Sequence, residues 1–258
     1  MTLNPAYRRI LHKMGYYNYQ QGLIYRHLNQ GKGWISHEEH CRKFIIKALD
    51  FYKPEKVTVY GSGWLLDLPL TEMAERVSRI SLVDIIHPPE VITQTKGFKN
   101  IQIIEEDVTG GLIEEVWKKA GNRTFVNRLS SLKGISVCEY QPVDDPGLAI
   151  SLNILTQLES LPEKLLRKKS RVNEECLKNF RKEIQQKHIR FLEKHNTVLI
   201  SDMTEIFMKE GGESVQNDTI LAELPAGKVR EEWIWDFDLK GKDYNQKKSV
   251  FKVVGIML

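Results

Sequence analysis

Apolar residues recur along this chain in two rhythms. Over residues 5–52 they return every three or four positions: Tyr7, Ile10, Leu11 and Met14 form one set, and Cys41, Phe44, Ile45, Ala48, Leu49 and Phe51 another. That spacing predicts helices with one apolar face each. Gly31-Lys32-Gly33 breaks the pattern between the two sets. Ser36 with Glu39 reads as a capping box for the second helix, and Pro54 closes it. From Val57 onward short apolar runs alternate with amphipathic stretches. The runs predict strands at 56–60, 80–86, 100–105, 147–153, 197–202, 230–237 and 248–257. The stretches predict helices near 66–76, 90–95, 111–119, 155–170, 173–195 and 203–210. Such alternation implies a parallel α/β sheet with helices on both faces. The last two strands are joined by a polar loop, Asp238 to Lys248, with no helical stretch between them, so they should pair as an antiparallel hairpin. Residues 121–146 read as irregular, with one short candidate strand at Ile135–Cys138.

Composition narrows the class. With 258 residues, 41% of them apolar, the chain can bury a substantial core. It divides into a helical cap at 1–51 and a main α/β domain at 52–258. No run approaches the roughly 20 apolar residues of a membrane span, and the N-terminus lacks an apolar leader core. Three widely spaced cysteines, Cys41, Cys138 and Cys176, argue against a disulfide framework or a structural zinc site. They fit a reducing, cytoplasmic setting. The net charge of +4 is small. In the first fifty residues Arg8, Arg9, Lys13, Arg26, Lys32, Arg42, Lys43 and Lys47 outnumber Glu38, Glu39 and Asp50. This excess either attracts an anionic substrate or, as the favoured reading, solvates a helical face. The cluster Tyr16, Tyr17, Tyr19, Tyr25 and Trp34 either lines a pocket or, as favoured, forms the contact between cap and sheet.

Chemistry concentrates after the first strand. Lys56-Val-Thr-Val-Tyr60 stops at Gly61-Ser62-Gly63 before a helical stretch. Glycines there let a ligand approach the backbone, and a helix N-terminus should follow the turn. The second strand ends in Asp84, 21 residues after Gly63, and the third is followed by Glu105-Glu106-Asp107. An acid at the tip of the second strand suits a ribose diol. Together with the terminal hairpin, this order resembles the class I S-adenosylmethionine-dependent methyltransferase family over about residues 52–258. The resemblance implies a Rossmann-like, seven-stranded mixed sheet and S-adenosylmethionine as cofactor. By that resemblance Tyr60, Gly61, Ser62 and Gly63 contact the amino-acid end of the cofactor, and Asp84 with Ile85 holds the ribose. Asp107 with Val108 meets the adenine, and Ser151 and Asn153 lie beside the sulfonium. Two positions depart from the family pattern. Leu65 stands where a third glycine is common, and Val59 where an acid is common. Asp67 is the candidate to neutralise the cofactor's ammonium in place of that acid.

Methyl transfer asks for alignment and exclusion of water, with a base where the acceptor needs one. Candidate catalytic residues are Asn153, His188 and Asp202, with His195 and Glu205 as further bases. Asn153 and Gln157 are four apart where a helix begins, so both amides either face the pocket or cap that helix. His188, amid Ile184, Phe191 and Leu192, reads more naturally as a packed or surface histidine. His87, before Pro88-Pro89, borders the adenine or belongs to a loop. The charged stretch 163–187 is either a lid or basic landing surface or, by default, a solvated helix pair. No metal is expected. The reading is a methyltransferase acting on a small-molecule acceptor, with nucleic acid not favoured. The alternatives are a cofactor-binding relative without activity and a nicotinamide-dependent oxidoreductase.

Overall fold

The computed structural model describes residues 4–208, 214–241 and 248–258. Three helical pieces lead: α1 (Pro5–Met14), α2 (Tyr16–Gln30) and α3 (Ile35–Tyr52). Asn4 caps α1 by accepting from the Tyr7 N–H, and Gly15 ends it at φ 93°. A 3-10 turn, Gly31–Trp34, then runs straight into α3. Ser36 therefore lies inside that helix, and the expected capping box does not form; no side chain caps α3 at its N-terminal residue. What fixes the start of α3 is a tertiary anchor. Trp34 is buried and its Nε1–H donates to the Phe237 carbonyl at 3.0 Å.

Beyond Pro54 the chain alternates β1 (Lys56–Tyr60), α4 (Leu70–Arg76), β2 (Arg79–Asp84), α5 (Pro89–Thr95), β3 (Ile101–Glu105), α6 (Leu112–Ala120), β4 (Leu148–Leu152), α7 (Ser160–Lys169), α8 (Glu174–Leu192) and β5 (Thr197–Met208). The strands β6 (Ser214–Asp218), β7 (Val229–Asp238) and β8 (Ser249–Met257) follow. The sheet order is β3-β2-β1-β4-β5-β8-β7. The first five strands are parallel, and β8 runs antiparallel to both β5 and β7. This is the expected Rossmann-like mixed sheet with its terminal hairpin.

Two elements differ from the sequence pattern. Over Met203–Met208 the predicted helix at 203–210 is instead the far half of β5; positions 209–210 lie outside the described residues. That half pairs with β8 as far as Phe207 opposite Ser249, across a bulge between Asp202 and Thr204. On its other side it pairs with an eighth strand, β6. A run such as Met203–Phe207 suits helix or strand by local pattern, and the long partner β8 decides it. The candidate strand at 135–138 is also absent. The segment stays irregular, with Ile135 and Val137 buried and Leu129 bridged to Ser170.

The sheet is covered on both faces. On one, Phe44, Ile45 and Leu49 of α3, Met73 of α4 and Val91 of α5 pack with Val57, Val59, Leu82 and Ile200. On the other, Val116 of α6, Leu166 of α7 and Phe180 and Ile184 of α8 pack with Tyr60, Val83, Ala149 and Leu199. Each such large side chain contributes about 1.5–3 kcal/mol through burial. The charged stretch 163–187 thus forms packed helices with paired outer charges, Arg167 bonding Glu163 and Glu174 and Arg181 facing Glu159. Because α3 belongs to the first face, only α1 and α2 rise over the strand ends. There Tyr7, Leu11 and Met14 pack with Ile86 and Ile113.

Candidate cofactor and acceptor pocket

The C-terminal ends of the parallel strands are where open α/β sheets bind ligands. The segment after β1 turns sharply there: φ is 82° at Gly61, 48° at Gly63 and 63° at Leu65. Every second residue is left-handed, so the turn keeps its shape where the third glycine is replaced. A non-glycine residue in that region costs about 1–2 kcal/mol. Leu65 offsets this by burying its side chain in the core beside Leu68 and Met73. Leu65→Gly is therefore expected to destabilise the protein by about 1–3 kcal/mol. The relief of strain is smaller than the roughly 2–5 kcal/mol lost with a buried leucine, and a urea melt would show it. The turn does not lead at once into a helix. The next one, α4, starts only at Leu70, so the expected helix N-terminus under the glycines is absent.

Asp84 ends β2 beside this turn. Its Oδ2 accepts from Gly63 N–H at 2.8 Å and its Oδ1 from Ile85 N–H at 2.7 Å. Burial pushes its pKa up to about 6, with those backbone bonds pulling it back. Gln20 of α2 donates to Oδ1 at 3.3 Å, and Trp64 Nε1–H holds the Gln20 carbonyl at 2.9 Å. Asp107, after β3, is fixed by Thr109 N–H at 2.8 Å, by the Thr109 hydroxyl at 2.5 Å and by the Tyr7 hydroxyl at 2.6 Å. The cap thus reaches both acids, through Tyr7 and Gln20.

On the far side of β1, Asn153 ends β4 at φ 50°. Its Nδ2 donates to Asp67 Oδ2 at 2.9 Å and lies 3.1 Å from His37 Nε2. Burial raises the Asp67 pKa to about 6 and lowers that of His37 to about 3. Trp233 Nε1–H points at His37 Nδ1 at 3.1 Å. Because indole can only donate, Nδ1 accepts there. His37, Cys41 and Asp67 place ligand atoms within 4.8 Å of one another.

One cavity joins these groups, with about 1060 Å³ of empty space, open solvent included. Gly61, Ser62, Gly63, Asp84, Ile85, Asp107, Val108 and Asn153 all line it, as do Asp67 and Gln157. Several anticipated residues do not, the candidate bases His195 and Glu205 among them. Tyr60 turns its ring to the opposite face, edge-on to Tyr140 and Phe191. Ser151 bonds His188 Nε2 at 2.9 Å beneath the sheet, so both belong to the core; burial lowers the His188 pKa to about 4. Asp202 is buried and takes the Thr156 hydroxyl at 2.6 Å. His87 likewise stays off the wall and bonds the Ser62 hydroxyl at 2.9 Å, steadying the glycine turn.

Sequence pattern missed Gln20 and Trp64, and it left open whether the aromatics of the cap reach a pocket. Tyr16, Tyr19 and Trp34 do line it, whereas Tyr17 and Tyr25 face outward. Among the described residues the wall carries four acids, Asp67, Asp84, Glu106 and Asp107, and no lysine, arginine or histidine. The basic residues of the first fifty lie elsewhere, several of them in surface pairs such as Arg8–Glu105 and Lys43–Glu39.

No protein-family model matches the chain, and no curated protein matches it. Solved structures do. The 1,6-didemethyltoxoflavin-N1-methyltransferase of Burkholderia thailandensis, with bound 1,6-didemethyltoxoflavin and S-adenosylhomocysteine, is 8% identical. The match covers 99% of this chain and 90% of that one at a TM-score of 0.41. The N-methyltransferase NodS from Bradyrhizobium japonicum WM9 is 8% identical over 85% of this chain and 96% of that one, with a TM-score of 0.32. A DhpI–SAH complex is 9% identical over 91% and 94%, also at 0.32.

Proposed function

We propose that this protein is an S-adenosylmethionine-dependent methyltransferase acting on a small molecule. The observation that carries the reading is the order of groups along the strand ends. Asp107 follows β3, Asp84 ends β2, the glycine turn follows β1 and Asn153 follows β4, all on one cavity. Adjacent strands lie about 4.8 Å apart, so these groups span the length of an extended adenosyl amino acid. Asp107 would take the adenine amino group and Asp84 the two ribose hydroxyls. The turn lets the methionine part lie against backbone, and Asp67 would face its ammonium. When bound, this cofactor supplies a methyl group already activated on a sulfonium. The protein's part is to align the acceptor and exclude water, and Tyr16 and Tyr19 of α2, with Trp34, line the cavity.

Two features weigh against a nicotinamide dinucleotide. A pyrophosphate is normally held at a helix N-terminus directly after the glycine turn, and here α4 begins seven residues beyond Gly63. An acid-lined wall without a cation also suits a sulfonium and an ammonium better than two phosphates. Thermal shift tests the choice. S-adenosylhomocysteine at a hundred times its Kd should add about 2.7 kcal/mol of stability, or roughly 5–10 °C, and NAD should add nothing. If calorimetry finds no heat and melting is unmoved by either adenosyl ligand, the reading fails.

The raised Asp84 pKa sets a pH dependence. The ribose hydroxyls need an ionised acceptor, so binding must strip the proton that the free protein holds below about pH 6. Affinity should be flat above pH 7 and about tenfold weaker at pH 5. Titration calorimetry across that range checks it. Stability of the free protein runs the other way. A folded pKa above the unfolded value means Asp84 destabilises by up to about 3 kcal/mol as pH rises from 4 to beyond 6.

A further inference from the structure

Asp84 has a partner on the cap that competes with the ribose. A carboxylate oxygen offers about two lone-pair positions. On Oδ1 the Ile85 N–H fills one at 2.7 Å, and the Gln20 side-chain amide fills the other at 3.3 Å. On Oδ2 the Gly63 N–H fills one at 2.8 Å. An ionised carboxylate only accepts, which orients the NH2 of Gln20 toward it. The two backbone donors are fixed by the end of β2 and by the glycine turn. A ribose diol that engages both oxygens needs a position on each, so Gln20 is the donor that must withdraw.

The helix that carries Gln20 is lightly held. Of the 15 residues of α2 only Gln30, at its C-terminal end, is buried. There Gln30 donates to Asp238 at 2.7 Å and accepts from the Leu239 N–H at 3.1 Å. By contrast α1 buries Tyr7, Leu11 and Met14, and α3 buries Phe44, Ile45 and Leu49. Glycines at positive φ flank α2, Gly15 at 93° and Gly31 at 62°, each with nothing within 4 Å of an added Cβ. The N-terminal half meets the site through Gln20 twice: its amide takes Asp84, and its carbonyl takes the Trp64 indole N–H at 2.9 Å. Tyr16, Tyr19 and Gln20 of that half line the cavity, and Tyr19 meets Ser160. Resting on the cofactor reading above, we propose that Gln20 is a latch: it holds α2 on the cavity by occupying the acceptor that the ribose needs, and cofactor entry releases it. Cap and cofactor exclude each other at Asp84 Oδ1. The cofactor therefore binds the unlatched form, and the strength of the latch is subtracted from its affinity. Binding of the cofactor loosens the N-terminal half of α2.

The test uses the whole chain and S-adenosylhomocysteine at pH 8, well above the Asp84 pKa of about 6, so that the carboxylate is ionised with or without its amide partner. Gln20→Ala removes the latch, and Gln20→Met removes the donor while keeping the length; both residues suit a helix. By calorimetry each variant should bind S-adenosylhomocysteine about three- to tenfold more tightly than wild type, the worth of one long hydrogen bond. Hydrogen exchange over residues 16–24 of wild type should speed up by about threefold or more when the ligand is added. In both variants it should be fast from the start and respond by less than about twofold. Unchanged exchange in α8 separates local release from general destabilisation. If wild type binds S-adenosylhomocysteine but both variants bind it equally well or more weakly, the latch is overturned and the cofactor reading stands. Slower exchange over 16–24 in wild type on adding the ligand also overturns the latch. If wild type does not bind S-adenosylhomocysteine, the cofactor reading falls and takes the latch with it.

Discussion

Asp84→Asn is expected to leave the fold intact and to weaken S-adenosylhomocysteine by about a hundredfold or more. The two effects separate because the carboxylate does opposite things in the free and bound states. In the free protein it is a buried charge whose pKa is raised to about 6, so neutralising it relieves up to about 3 kcal/mol near neutral pH. The amide keeps one acceptor for Gly63 N–H or Ile85 N–H and sets its NH2 against the other. That unmade bond costs about 1–3 kcal/mol. The melting temperature should therefore change little. In the bound state the carboxylate would accept two hydroxyls. Charge-assisted bonds are worth about 1.5–3 kcal/mol each, so their loss amounts to roughly 3–6 kcal/mol. Calorimetry on wild type and variant, beside thermal melts, reads both quantities. An affinity within tenfold of wild type would remove Asp84 from the ribose role.

Gly61→Ala should be the most disruptive single change at the site. The residue sits at φ 82°, and an added Cβ would lie 2.6 Å from the Leu152 carbonyl oxygen and 2.8 Å from Ile154 Cβ. One of those atoms is backbone of β4 and cannot swing aside. Left-handed strain of about 1–2 kcal/mol adds to overpacking of about 1–3 kcal/mol. The sum lowers the melting temperature by roughly 5–15 °C. Relaxation would push β1 and β4 apart at their ends and misplace Asn153, so cofactor binding should be lost as well. Gly97→Ala is the control, since it has no positive φ and nothing within 4 Å of the added carbon. A melt of Gly61→Ala as stable as the control would show that the turn has slack that its geometry does not suggest.

How far the site could be read in advance depended on the range of the interactions that make it. Gly61, Gly63, Asp84 and Asp107 were legible because each follows directly on a strand, and a strand end is a local pattern. Tyr60 and Ser151 were placed in the site by proximity in sequence, yet the alternation of side chains along a strand turns both to the opposite face. His188 was correctly suspected of being packed, because its apolar neighbours recur at helical spacing. Asp202 failed as a wall residue because β5 continues past it, paired with β8, where local pattern had suggested a helix.

By itself, the sequence determined the alternating α/β architecture, the antiparallel end of the sheet and the row of acids after its strands. All of these follow from periodicity, glycine and strand length. Only the tertiary structure decided that Leu65 and Asn153 take left-handed conformations, that α3 joins the sheet while α1 and α2 cover the cavity, and that Gln20 and Tyr7 reach the two acids. These are contacts between residues up to two hundred positions apart. No local pattern encodes them, because they exist only once the core has fixed the distances between elements.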